Sequence, residues 1–417
     1  MKVSVGILMM CVMVVVLAGG CYGGQKKRRK RPVERVQERG LVTTSPVDIR
    51  SVVAEAHRCS SRVREPVYSS AVLGYITPWH GRGYTVAKVF ANKLNVVSPV
   101  WFQLNIQDPH APVLGGIHEV KSNAAWLSAI RQRRTLQHDQ DGDQKNGIDP
   151  DVGPLIYPRV NIEGVDVRGF HAWLTSPEGV EAAVDAIRGV VEEYGLDGVV
   201  LDTAGLPPMR IGGEAYVSFV ASVSAFTGVV VVAHPAHPSL DKPGSRQRFD
   251  ARDLADLAPY VDAVSLMSYD ASDPSAPGFN SPIPWIHASL SAMLPPEGDS
   301  DRPALARKIL LGINFYGAEY VLGGGGGGGG AIVGKEYMTK LKALAESPGD
   351  VPSLTWDPQG AEHVLRFQDP SDGSDRAIFY PTLAYIQTRL DLAESMGLAG
   401  VAVWELGQGL DYFMDLL

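Results

Sequence analysis

Tyr194-Gly195-Leu196-Asp197-Gly198-Val199-Val200-Leu201-Asp202-Thr203-Ala204-Gly205 decides how the rest of this 417-residue chain is read. Before it runs a helical pattern that opens at Ser176, a side chain suited to cap free N–H groups. Pro177 stands in the first turn, where a missing N–H costs nothing. Val180, Val184, Ile187, Val191 and Tyr194 recur at three- and four-residue steps and form one apolar face. Gly195 suits the left-handed residue that closes a helix. Val199-Val200-Leu201 then reads as a short buried strand that ends on the carboxylate of Asp202. In a parallel α/β barrel the C-terminal ends of the strands surround the functional site, and Asp202 falls there.

The same grammar repeats along the chain. Strands are predicted at 71–77, 96–103, 155–161, 229–234, 261–268, 308–315 and 400–404, with helical patterns between them. One such helix carries Leu383, Ile386, Leu390, Ala393 and Met396 and stops at Gly397. About eight alternations over 71–417 predict a single-domain α/β fold, a (β/α)8 TIM barrel. A doubly wound open sheet ranks lower, because no G-x-G-x-x-G opens the first unit. Two extended runs, Val364–Gln368 and Ala377–Tyr380, predict a small hairpin lobe inserted between strand seven and the last helix. Gly323–Gly330 is eight consecutive glycines, expected as a flexible loop.

Tyr75, Trp79, Trp101, Tyr269, Tyr316 and Trp404 all fall at or just beyond predicted strand ends, around one mouth. Aromatic faces pack against the C–H faces of sugar rings, and sugar hydroxyls need amide and carboxylate partners. Gln103, Asp202, Asp270, Asn314 and Glu405 are placed to supply them.

The quoted stretch resembles the D-G-x-D-x-D-x-E signature of family-18 glycoside hydrolases, the chitinase family, with Asp197, Gly198 and Asp202 on the pattern. Met267-Ser268-Tyr269-Asp270 matches the family's M-x-Y-D on strand six, and Trp404 its tryptophan at the floor of the sugar site. The likeness is nearest to a chitinase-like lectin branch, through Leu73–Trp79, Leu311–Gly317 and Trp404–Phe413, and it spans 71–417. The sequence departs from that branch at the acidic loop of residues 138–150, at the glycine run, and at Asp202, where glutamate is common. The resemblance implies a chitinase-like barrel that binds chito-oligosaccharide or a related glycan through Tyr75, Trp79, Trp101, Gln103, Asp202, Met267, Tyr269, Asp270, Asn314, Tyr316, Trp404 and Glu405. Val200 stands where the signature has its middle aspartate, and Ala204 where it has the glutamate that protonates the leaving oxygen. A methyl group donates no proton, so the chain is expected to bind glycans as a pseudoenzyme, with no catalytic residue. Two alternatives stay open: a weak glycosidase using Glu405 or Asp270, and a protein-binding scaffold with a vestigial cleft.

Charge narrows the partners. Net charge is −8, but residues 1–40 carry +7, leaving −15 for the remainder. An acidic body argues against a nucleic-acid partner. Met1–Gly20 has the charge, apolar run and small-residue end of a secretory signal peptide, which predicts a secreted or secretory/lysosomal luminal protein without stable membrane association after cleavage. A basic, poorly ordered lead-in with one short helix is expected over 21–70, beginning with the six basic residues of Lys26–Arg31. Cys11, Cys21 and Cys59 cannot build a disulfide framework. Asp139, Asp141 and Asp143 alternate as in a calcium loop, but Gln144 stands where that loop needs glycine and Pro150 where it needs glutamate. His234 and His237 lack an evident third ligand for zinc. Neither a metal nor a cofactor is implied.

Overall fold

The computed structural model describes residues 33–62, 65–135, 153–235, 249–323, 328–348 and 350–417. The leader, the basic tract, the acidic loop, His237, Cys11 and Cys21 lie outside the described residues. Eight parallel strands form the centre: β1 (Ala71–Ile76), β2 (Val96–Asn105), β3 (Arg159–Glu163), β4 (Gly198–Asp202), β5 (Gly228–Ala233), β6 (Ala263–Leu266), β7 (Ile309–Asn314) and β8 (Gly400–Trp404). Each pairs with its neighbour in the chain order, and β8 pairs with β1 from Gly400↔Ala71 to Val403↔Gly74, which closes the ring. This is the expected (β/α)8 barrel.

Alternation along each strand sorts side chains into two cores. Leu73, Tyr75, Val200, Val230, Val232, Ala263, Leu310 and Ala402 meet inside the barrel. Their neighbours on the other face, such as Val199, Leu201, Val231 and Val401, pack against the helices. The helix Pro177–Tyr194 is built as its sequence predicts. Ser176 Oγ accepts the Gly179 N–H at 3.1 Å, Gly195 closes the helix at φ +57°, and Ala183, Val184, Ile187, Val190 and Val191 are buried.

The lobe between β7 and the last helix, Leu383–Ser395, is present and larger than a hairpin. It is a six-stranded antiparallel sheet of Val47–Asp48, Ser353–Asp357, Glu362–Gln368, Asp375–Phe379, Gly317–Val321 and Gly329–Ile332, in that spatial order. Its first strand comes from the segment expected to be poorly ordered. The one short helix expected there is Ile49–Glu55, capped by Asp48, and more of the segment is ordered than expected: among its described residues Val36, Ile49, Val52 and Ala56 belong to the core. Ile49, Val52 and Ala56 fall on one face of that helix, and Val36 joins them from the turn before it.

The glycine run also differs from a plain loop. Gly329 and Gly330 pair with Tyr320 and Glu319 as an edge strand. A Cβ on Gly329 would lie 2.1 Å from the Glu319 carbonyl oxygen, at a φ of +133°, so only glycine fits there.

Candidate active site at the barrel mouth

Register places the site. β3 and β4 pair Asn161 with Asp202, and β2 and β3 pair Gln103 with Asn161, so these three polar side chains share the inner face at the C-terminal rim. One step down on β3 sits Arg159, only 9 % exposed. Its Nη2 forms an ion pair with Asp202 Oδ2, and Asp202 is completely buried. The Arg159 guanidinium lies 4.8 Å from the ring centroid of Trp404 and 5.8 Å from that of Tyr75. Burial works against the Arg159 charge and lowers its pKa, opposed in part by Tyr75 and Tyr269. Asp202 Oδ1 accepts the Ala204 N–H at 2.8 Å and lies 3.9 Å from His234 Nε2.

The opposite side of the mouth is built from β6 and β7. Tyr269 and Tyr316 meet edge to face at 6.2 Å, and the Tyr269 hydroxyl points at Met267 Sδ, 3.4 Å away. Tyr316 donates its hydroxyl hydrogen to Asp270 Oδ1, and the Asp270 N–H is held by Asn280 Oδ1 at 3.2 Å. Asp270 sits at φ +65°, the left-handed region, where a short polar side chain is tolerated better than most. It remains open to solvent, yet the surrounding protein excludes enough water to raise its carboxyl pKa. The hydrogen bonds from Tyr316 and Asn280 only partly oppose that rise. The same burial, with the Asp270 charge alongside, pushes the Tyr316 hydroxyl well above the ordinary tyrosine range.

The residues expected from the sequence therefore divide. Tyr75, Asp202 and Trp404 come together around Arg159, with the Tyr75 and Trp404 rings 5.2 Å apart. Met267, Tyr269, Asp270 and Tyr316 form the second group. Gln103 is half-buried on the inner face, and Trp79 stands on the loop after β1, 71 % exposed. Asn314 is buried with its amide committed, donating to the Tyr316 carbonyl at 2.6 Å and accepting from the Tyr385 hydroxyl.

Burial corrects several expectations: Tyr75 and Asp202 lie beneath the mouth with no surface to offer a sugar. Trp101 is fully buried away from the mouth, its Nε1 on the Tyr84 hydroxyl at 2.8 Å and its ring edge-on to Trp126. Glu405 is likewise fully buried. Its carboxylate is held by His80 Nδ1 at 2.6 Å and by the Gly407 N–H at 3.1 Å, with burial raising its pKa. Arg159 was not singled out from the sequence. The available signal was a lone cation within the predicted strand 155–161, two residues before its end at Asn161.

Comparison with known proteins gives these positions a context. Residues 161–409, more than half of the chain, match the family described as "Glycosyl hydrolases family 18". Among solved structures, the chain is similar to a chitinase from Chromobacterium violaceum ATCC 12472, with 19 % identity, a TM-score of 0.63, and 83 % of this chain and 98 % of that chain covered. It is similar to the Bacillus cereus spore cortex-lytic enzyme SleL, with 17 % identity and a TM-score of 0.62, covering 83 % of this chain and 73 % of that one. It also resembles a chitinase from Cycas revoluta solved in complex with (GlcNAc)3, with 14 % identity and a TM-score of 0.61, covering 83 % and 98 %. The family match overturns the expectation of a pseudoenzyme without catalytic activity, because the family it identifies is one of hydrolases. Ala204 itself has no proton to give to a leaving oxygen.

Proposed function

The chain belongs to glycosyl hydrolase family 18, and from that premise we propose that it hydrolyses an N-acetylglucosamine-containing oligosaccharide laid across the barrel mouth, with Asp270 as the proton donor. The observation that carries this reading is the setting of Asp270: a carboxyl open to the mouth, oriented by Tyr316 and Asn280, with a raised pKa. A general acid needs access to the leaving oxygen, and a raised pKa lets it keep its proton to higher pH than an ordinary carboxyl. Asp270 gives its proton to the glycosidic oxygen as the C–O bond breaks. Water then supplies hydroxyl to the anomeric carbon and its remaining proton to the carboxylate. Glu405 is the weaker candidate, because its carboxylate is already engaged by His80 and Gly407 inside the protein.

Trp404 provides an apolar face for a sugar ring and Gln103 a polar partner, while the buried Tyr75 and Asp202 form the floor beneath them. The glycan class is supported by the Cycas revoluta neighbour, whose structure holds (GlcNAc)3. The likeness of Leu73–Trp79, Leu311–Gly317 and Trp404–Phe413 to chitinase-like lectins supports glycan binding at the same mouth. The leader-like Met1–Gly20 supports action outside the cell or in the secretory or lysosomal lumen.

Asp270→Asn tests the reading. It keeps an acceptor for Tyr316 and removes the proton. Turnover of a chito-oligosaccharide should fall about 10²–10⁴-fold while the dissociation constant changes little. Unchanged turnover would overturn the assignment.

A further inference from the structure

Beneath the proposed sugar position lies a buried cation whose hydrogen-bonding capacity the protein does not fill. Arg159 gives Nη2 to Asp202, while its Nε–H has no acceptor among the described residues. Asn161 Oδ1, two residues on and on the same inner face, is buried without a donor among the described residues, and so is Thr77 Oγ1 beyond the end of β1. Asp202 cannot serve Arg159 alone, since its other oxygen already accepts the Ala204 N–H and faces His234. A buried donor left without an acceptor is costly, so the site favours a ligand that supplies one. Guanidinium presents its N–H groups in a planar fork whose geometry matches a carboxylate.

We propose that Arg159 is the specificity-determining residue of the cleft, and that it selects glycans carrying a carboxylate close to the ring that stacks on Trp404. The carboxylate takes the buried, unpartnered Nε–H edge of Arg159, and an adjacent sugar hydroxyl or amide N–H reaches Asn161 Oδ1. A neutral hydroxyl can fill the same N–H, but a charge-assisted bond in this water-poor floor is roughly twice as strong. The carboxylate can belong to the sugar ring itself, as in a hexuronate, or to an ether side chain on an amino sugar. The inference rests on reading the mouth as a glycan cleft, and it narrows the substrate class within that reading.

Calorimetric titration of the full chain with three tetrasaccharides tests it. One is neutral (GlcNAc)4, one alternates N-acetylglucosamine with glucuronate, and one alternates N-acetylglucosamine with its lactyl ether. At least one acidic tetrasaccharide should bind about tenfold tighter than the neutral one, and which of them does identifies the source of the carboxylate. Arg159→Lys should shrink that ratio, because it keeps the charge and loses the fork. Arg159→Met alone strands a buried Asp202, so the decisive variant is the double change Arg159→Met with Asp202→Asn. There the ratio of acidic to neutral affinity should fall to about one, whatever happens to either affinity alone. Neutral binding with no acidic preference in the wild type, or a preference that survives the double variant, would overturn this proposal and leave the glycan cleft standing. Binding of none of the three would remove the cleft reading and this proposal together.

Discussion

Asp270 should govern the pH dependence of both rate and stability. Its folded-state pKa lies above the ordinary value of 3.8, so the folded protein holds this proton more tightly than the unfolded chain does. Stability contributed by this group is therefore lost as pH rises from about 3.8 through the folded pKa. Asp270→Asn should melt higher than wild type above that window and show no such advantage below it. Catalysis needs the protonated form, so kcat should decline as pH rises through the same raised pKa, and the stability and rate profiles should share that limb. Glu405→Gln should behave differently. It weakens the bonds to His80 and Gly407, lowering the unfolding free energy by about 1–3 kcal/mol while leaving kcat within a fewfold of wild type. A collapse of kcat without loss of stability would return Glu405 to the reaction. Asp270 and Asp202 were legible in the sequence because carboxylates at strand ends stand out. The commitment of Glu405 to His80 was not, since that bond joins residues 325 positions apart.

Elements with a regular period were legible, and those that break their period were not. The helix Pro177–Tyr194 follows directly from its cap, its spacing and its closing glycine. β2 shows the opposite case. Its register against β3 shifts between Val100 and Phe102, and such an irregularity resets the two-residue alternation, so closeness to a strand end did not tell which way Trp101 points. Trp101 instead meets Tyr84 and Trp126 from the helical layer. In the glycine run, composition alone cannot distinguish a loop from an edge strand, because a glycine strand has no side chains to alternate. Gly329→Ala separates the two. The added Cβ would collide with the Glu319 carbonyl, so the variant should lose about 1–3 kcal/mol of stability, measured by urea unfolding. A neutral effect would mean that the pairing with Gly317–Val321 contributes nothing.

For the whole molecule, the barrel was readable from the count of alternating segments, whereas the lobe depends on pairing too distant to read. Val47 pairs with Leu354, and no local pattern announces such a contact. The lobe is nevertheless joined to the site. Glu362 accepts the N–H groups of Asn280 and Ser281, and Asn280 in turn holds Asp270. Arg389 lies 3.6 Å from Glu362, donates to the carbonyls of Ala361 and Tyr385 at 3.0 Å each, and packs over the Tyr385 ring. Arg389→Met strands a buried carboxylate and should cost about 3–5 kcal/mol in chemical denaturation. Hydrolysis should fall with it at temperatures where the variant stays folded, because the support of Asp270 passes through Glu362. Full activity in a folded Arg389→Met protein would show that the lobe does not position the site. Hydrolysis itself is best tested by incubating the full chain with (GlcNAc)4 in H2(18)O and weighing the products by mass spectrometry. Shorter oligosaccharides carrying one heavy oxygen per cleaved bond, absent with Asp270→Asn, are the predicted result. Intact, unlabelled tetrasaccharide recovered from a folded wild-type protein that binds it would contradict the assignment of hydrolysis to this barrel.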